Sequence, residues 1–345
     1  MLGGGVFVTQ NKVLPGSYIN FVSAARVTSA LGERGTVAIA LPLNKAAGTV
    51  IELNKLDFVA NSETLLGVKY GDAKVAPIRE LFCHALKVLV YDLGESGTAS
   101  EAIAALEPYE FNVLCAYTNG EEDVSAYITA VKAWRDEQGK KCQVVVYGQE
   151  KPDHEGVINV VSTVSDEDAS EYALVAWVAG AEAGCALNES CTNMVYDGEY
   201  TVVLDKTQKQ LEACIQNGEI AFHLVYGDVR MLEDVNSLTT TTEDKGEDFK
   251  YNQTIRIIDQ IANDIAKLFN TKYLGKIPND KSGRVSLWAD IVAHHKELEA
   301  IRAIENFDSA LLTVEQGATK KSVVVNDVVT VVNAMAQLYM TVVVQ

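Results

Sequence analysis

The sequence predicts a multidomain chain of mixed α/β and α+β class, and three observations carry that prediction. Between about residues 86 and 230, short β-branched runs alternate with segments of helical periodicity, the pattern of a mostly parallel sheet covered on both faces. After residue 231 the rhythm changes to two long amphipathic helices. Both ends are dense in β-branched residues and broken by turn residues, so they read as strands lacking a neighbour in sequence to pair with. At 345 residues and 48% apolar content, the chain has material for two or three cores of its own.

Taken in order, residues 1–25 are expected to form an extended N-terminal arm. Gly3, Gly4 and Gly5, then Pro15 and Gly16, exclude a helix, and the apolar runs at 6–9 and 18–21 suit extended pairing. Residues 26–85 read as a small β-rich domain with strands near 36–41, 48–53 and 65–68. Residues 86–230 form the central domain. Its expected strands are 86–91, 111–117, 143–147 and 156–161, and its helices include 100–106, one carrying Val124, Ile128, Val131 and Trp134, and an alanine-rich one over 168–183. A further strand at 201–204, a helix at 207–217 and a strand at 219–226 close it. A polar loop at 237–246 opens an α+β C-terminal domain, 231–320. Its first helix places Tyr251, Ile255, Ile258, Ala262, Ile265 and Phe269 on one stripe, and its second places Leu287, Ile291, His294, Leu298 and Ile301 on another. Residues 321–345 are expected to form a C-terminal arm.

Composition narrows function. A net charge of -18 repels phosphate backbones and anionic lipid, so neither nucleic acid nor membrane is expected as a partner. No run approaches the ~18 apolar residues of a membrane span, and the start lacks a basic, hydrophobic leader, so synthesis in the cytosol is expected. The six cysteines are scattered through apolar runs without CxxC spacing and are expected as reduced, packed thiols.

No catalytic, cofactor or metal site is expected. Adjacent His294 and His295 point about 100 degrees apart on a helix, which predicts a packed His294 and a solvated His295 rather than a metal pair. His223, between Phe222 and Leu224, reads as a satisfied strand residue. The glycine-bearing segments at 3–5, 92–97 and 275–276 lack dinucleotide or phosphate-loop spacing, and Ser96 lacks a nucleophile elbow. If a ligand did bind, the loops after Tyr91, Tyr117 and Tyr147 would be its place. The competing class is therefore a cytosolic α/β enzyme or small-ligand binder using the central sheet.

Several strings, in order, decide between these classes. Asp248-Phe-Lys-Tyr-Asn-Gln-Thr-Ile-Arg-Ile-Ile-Asp-Gln-Ile-Ala-Asn-Asp264, Tyr273-Leu-Gly-Lys-Ile-Pro-Asn279 with Gly283-Arg284, and Val332-Asn-Ala-Met-Ala-Gln-Leu-Tyr-Met-Thr-Val-Val-Val344 resemble the C-terminal third of contractile tail sheath proteins of bacteriophages and tailocins. Gln10-Asn-Lys-Val-Leu-Pro-Gly-Ser-Tyr-Ile-Asn-Phe21 resembles that family's opening. Gly227-Asp-Val-Arg230 and Asp234-Val-Asn-Ser-Leu-Thr-Thr240 resemble the join into its last domain. The strings cover about a third of the chain, and Asn333 departs from an expected acidic residue.

The resemblance implies a structural subunit without cofactor. It implies hexameric rings stacked around an inner tail tube protein, capped by baseplate and tail terminator proteins, in a phage tail or a released tailocin. Each subunit's arms would complete a sheet in the C-terminal domains of neighbours. The expected arm contacts are Val6, Phe7, Val8, Tyr18, Ile19, Phe21, Val323, Val325, Tyr339, Met340, Val342, Val343 and Val344. Pro15, Gly16 and Gly317 are the expected hinges, and Arg256, Asp259 and Asp264 the expected polar contacts between subunits.

Overall fold

The structure is a computed structural model describing residues 31–43 and 45–344. The expected N-terminal arm, with Val6, Phe7, Val8, Pro15, Gly16, Tyr18, Ile19 and Phe21, lies outside the described residues. The elements run β1 (Thr36–Leu41), β2 (Val50–Asn54), α1 (Lys55–Leu66), α2 (Ala76–Leu81), β3 (Lys87–Asp92), α3 (Ala99–Leu106), β4 (Val113–Cys115), α4 (Glu121–Ala133), β5 (Gln143–Tyr147), β6 (Val157–Val160), α5 (Leu174–Gly184), α6 (Gln208–Gln216) and β7 (Glu219–Ile220). There follow β8 (Phe222–Val225), β9 (Asp228–Met231), α7 (Asn252–Leu268), α8 (Lys281–Ala300), β10 (Ile304–Glu305), β11 (Thr313–Gln316), β12 (Val323–Asn326) and β13 (Thr330–Val331).

The first seven strands form one sheet in the order β2-β3-β1-β4-β5-β6-β7. Every pairing is parallel except that of β2 with β3 at the edge. The period of two along β1 explains the layers. Val37, Ile39 and Leu41 face one core with α1, α2 and α5, whereas Ala38 and Ala40 face the other with α3 and α4. Helix α5 is apolar around nearly its whole circumference because it lies between the sheet and α2. A Cβ on Gly180 would stand 2.5 Å from the Leu81 carbonyl oxygen, so only glycine permits that approach.

The expected β-rich unit over 26–85 is corrected: β1 lies inside the central sheet and β2 at its edge. Asp92 at the end of β3 fixes the loop between them, accepting from the amides of Leu43, Lys45 and Ala46 at 3.2, 2.8 and 2.8 Å. The run at 65–68 is the end of α1 and its cap, not a strand. Asn54 caps the helix start by accepting from the Asp57 amide, and Gly67, at φ 72, ends it. The 219–226 strand divides at Ala221, giving two residues to the sheet and the rest to the β8–β9 hairpin. Over 201–204 only a single bridge forms, Val164 to Val202.

The C-terminal domain is sparsely cored. Leu187, Ile257, Leu298, Ala303 and Ile304 form one small cluster, and Tyr273, Leu287, Ile291, Val292 and Leu312 another. Among the described residues, its strands pair as β11 with β12 and β10 with β13, both antiparallel. A two-stranded hairpin is marginal in water.

Candidate interaction site at the C-terminal segment

Helix α8 starts at Asp280, whose carboxylate accepts from the Gly283 amide, and its apolar face carries β11. β12 then folds back on β11, with Val323 opposite Gln316 and Val325 opposite Val314. The expected arm boundary at 321 therefore moves: Val323 and Val325 pair within their own chain. Gly317 closes this hairpin, its amide donating to the Ser322 carbonyl at 2.8 Å, so it is a turn residue and not an arm hinge. β13 pairs with β10, and the Val332 amide donates to the Ala303 carbonyl. The last anchors are on α7: Asn333 bonds Thr254, and the Ala334 amide donates to Gln253 Oε1 at 2.8 Å.

Beyond Ala334 the segment leaves the body. Among the described residues, 335–344 form no helix or strand and make no hydrogen bond to the rest of the chain. Met335, Leu338, Tyr339, Met340, Val342, Val343 and Val344 are between 68% and 102% exposed. Leu338, Met340, Val342 and Val344 fall on one face of an extended chain, with Tyr339, Thr341 and Val343 on the other. Burying such side chains is worth about 1.5–3 kcal/mol each, so this segment is built to be covered.

Arg256, Asp259 and Asp264 are not at the surface. All three are buried within the chain, which corrects their expected role between subunits. Arg256 donates to Glu182 Oε2 at 2.7 Å, Asp234 Oδ2 at 3.2 Å and the Glu189 carbonyl at 2.9 Å. Burial opposes its charge, but Asp234 and Glu182 outweigh that and hold the guanidinium well above its ordinary value. Burial, then the Asp234 charge, pushes the Glu182 carboxyl well up, while Arg256 overcomes burial to hold Asp234 down. Arg135 grips Asp259 with two bonds, 2.6 and 2.9 Å. Asn252 accepts from Gln143 Nε2 at 2.9 Å. Asp264 accepts from the Gly32 amide, Gln260 and His294. The polar face of α7 thus joins the C-terminal helices to the central domain.

His294 is buried as expected, but His295 is also buried, between Asp327 and Phe307, because α8 is covered on that side by the chain entering β13. His223 is half-buried, and among the described residues its Nε2 has no hydrogen-bond partner, contrary to the expectation of a satisfied residue. At the carboxyl edge of the sheet, a cleft of about 800 Å³ is lined by Leu41, Leu93, Tyr117, Tyr127 and Tyr172. Of its flanking charged groups, Arg79 donates to both oxygens of Glu199, and Asp166 accepts from the Thr201 amide.

Residues 95–237 match the family described as phage tail sheath protein central domain, and residues 244–345 match the phage tail sheath C-terminal domain. The chain belongs to the phage tail sheath family. It is 32% identical over 219 residues to the uncharacterised protein YqbK of Bacillus subtilis, covering 60% of this chain and 47% of that one. To the tail sheath protein of Clostridium phage phiCD119 it is 28% identical over 242 residues, covering 69% of this chain and 67% of that one. The chain spans about half the length of the Bacillus subtilis relatives it matches. The crystal structure of a sheath tail protein from Desulfitobacterium hafniense superposes at TM-score 0.78 and 26% identity, over 94% of this chain and 99% of that one. The contracted helical sheath of the anti-feeding prophage shares the fold at TM-score 0.73 and 15% identity, over 96% and 99% of the two chains.

The uncovered apolar segment after Ala334 stands, among the described residues, without a sheet. The sequence placed Tyr339, Met340, Val342, Val343 and Val344 in it. It missed Leu338 and Met335, although both continue the apolar pattern, and it missed the buried partners Arg135, Glu182 and Asp234. A signal for the last three existed in Asn252, Arg256, Asp259 and Asn263, polar residues at helical spacing.

Proposed function

We propose that the chain is the structural subunit of a contractile tail sheath, and that residues 335–344 add a strand to the C-terminal domain of a neighbouring copy. The observation that carries this reading is the exposed, extended, alternating segment after Ala334. The β11–β12 hairpin supports it from the acceptor side, because among the described residues each of its strands has one unpaired edge. Main-chain bonds along such an edge supply affinity, and alternate side chains supply register.

Subunits linked in this way form hexameric rings stacked around an inner tube, between baseplate and terminator proteins. The extended stack is a trapped state that relaxes to a shorter one, and the energy comes from repacking subunit surfaces. The body moves as a unit, and the arm carries the linkage. Truncation after Ala334 tests this: the shortened chain is expected to stay folded, with an unchanged circular dichroism spectrum and melting point, yet to give no tubes in negative stain. Normal tubes from the truncated chain would remove the reading.

A further inference from the structure

Charge is unevenly placed on this chain. The end of α7, the turn into α8 and the tip of the β11–β12 hairpin carry Lys267, Lys276, Lys281, Lys320 and Lys321, all exposed, in a molecule whose net charge is -18. Asn279 ties the turn to the hairpin tip, donating to the carbonyls of Lys320 and Ser322 at 3.1 and 2.8 Å. Among the described residues these five lysines have no carboxylate partner, whereas Lys272 in the same turn is paired with Asp290. Exposed Leu274 and Ile277 stand beside them.

The opposite sign gathers around the cleft of about 800 Å³ at the carboxyl edge of the sheet. The cleft opens where the strand order turns: β3 and β4 follow one another in sequence but flank β1 on opposite sides, so the loops after them part. Asp123, Asp166, Glu167 and Asp168 line it together with Tyr117, Tyr172 and Tyr200. Of the cations that line it, Arg79 is held by Glu199, which leaves Lys74 against four carboxylates without an ion pair among the described residues. Tyrosine faces attract ammonium groups, and the carboxylates add to that, so the cleft suits lysine side chains and repels acids.

The two regions cannot meet within one chain. The end of α7 lies at the amino edge of the sheet: Asp264 accepts from the Gly32 amide just before β1, and Asn263 exchanges two hydrogen bonds with the backbone of Lys141 just before β5. The cleft lies at the other edge, beyond Leu41 and Tyr117. β1 alone, with six residues, sets the two edges about 20 Å apart.

We infer that the lysine-bearing turn of one copy docks into the acidic, tyrosine-lined cleft of the next, head to tail. A contact between unlike surfaces at opposite ends of a body does not close on a pair, and it repeats as a ring or a helical stack. It goes beyond strand donation by the arm and does not rest on it: the arm links copies by main-chain pairing, and this contact sets body against body by charge.

Charge reversal in the full chain tests it, with self-association followed by sedimentation at about 0.1 M and about 1 M salt. Lys281→Glu with Lys320→Glu reverses the turn, and Glu167→Lys with Asp168→Lys reverses the cleft. All four side chains are exposed, and a circular dichroism spectrum checks each fold. Wild type is expected to associate more weakly at the higher salt, and each double variant to associate about tenfold or more weakly than wild type at the lower salt. The chain carrying all four substitutions, and an equal mixture of the two double variants, again set unlike charges together and are expected to regain most of the association. Should a reversal change the spectrum, Gln at the same lysines and Gln and Asn at the same acids make the test, with a smaller loss expected. Wild type that does not associate or is indifferent to salt, a double variant that associates as wild type does, or a fourfold variant and mixture that stay weak overturn the contact. Tube formation by the chain truncated after Ala334 overturns strand donation instead, so the two failures are distinct.

Discussion

Single residues in this chain are held by burial that their charges resist. Glu80 shows the cost most plainly: burial pushes its carboxyl up to about 7, although it accepts from the Glu199 amide and the Tyr196 hydroxyl. A carboxyl raised in the folded state contributes stability below its unfolded value, and that contribution is lost as pH rises through about 7. Stability measured by urea titration is therefore expected to fall between about pH 4.5 and pH 7 on account of this group, and Glu80→Gln is expected to flatten that slope and gain about 1–3 kcal/mol at pH 8. Asp259 is the opposite case. Asp259→Ala leaves the Arg135 guanidinium buried without its carboxylate, and a loss of about 3–5 kcal/mol in the same titration is expected.

At the scale of elements, the sequence was most legible where a strand or helix decides its own fate. β1, β3 and β5 are built around continuous apolar runs, and α3 and α6 carry capping boxes, Thr98 with Glu101 and Thr207 with Gln210. Short runs were less legible: 65–68 has strand residues, yet Asn54 and Gly67 fix a helix around it. Helix α7 was half legible. Its apolar stripe was readable, but its polar stripe looked like a solvated face because the partners, Arg135 and Glu182, lie far away in sequence. The same distance hid the burial of His295. Close packing between elements leaves its own test: Gly180→Ala drives a Cβ into the Leu81 carbonyl, so α2 and α5 separate, and a loss of about 1–3 kcal/mol is expected by thermal melting.

As a whole molecule, the chain divides its stability unevenly. Two apolar layers on a seven-stranded sheet make a firm body, and the ion pairs of α7 bind the C-terminal helices to it. The C-terminal domain itself holds small clusters and, among the described residues, a hairpin with open edges and an exposed segment that pairs with nothing. The exposure of 335–344 agrees with the β-branched pattern of that end. The point at which the arm leaves was not legible in that pattern, because β12 and β13 are as β-branched as the segment that follows them. The most direct measurement is a cryo-electron microscopy reconstruction of tubes grown from the full chain, tracing residues 335–344. They are expected to run as a strand hydrogen-bonded to the C-terminal domain of an adjacent copy. Density that follows them back onto their own body, or leaves them unpaired in the wall of the tube, would contradict the account.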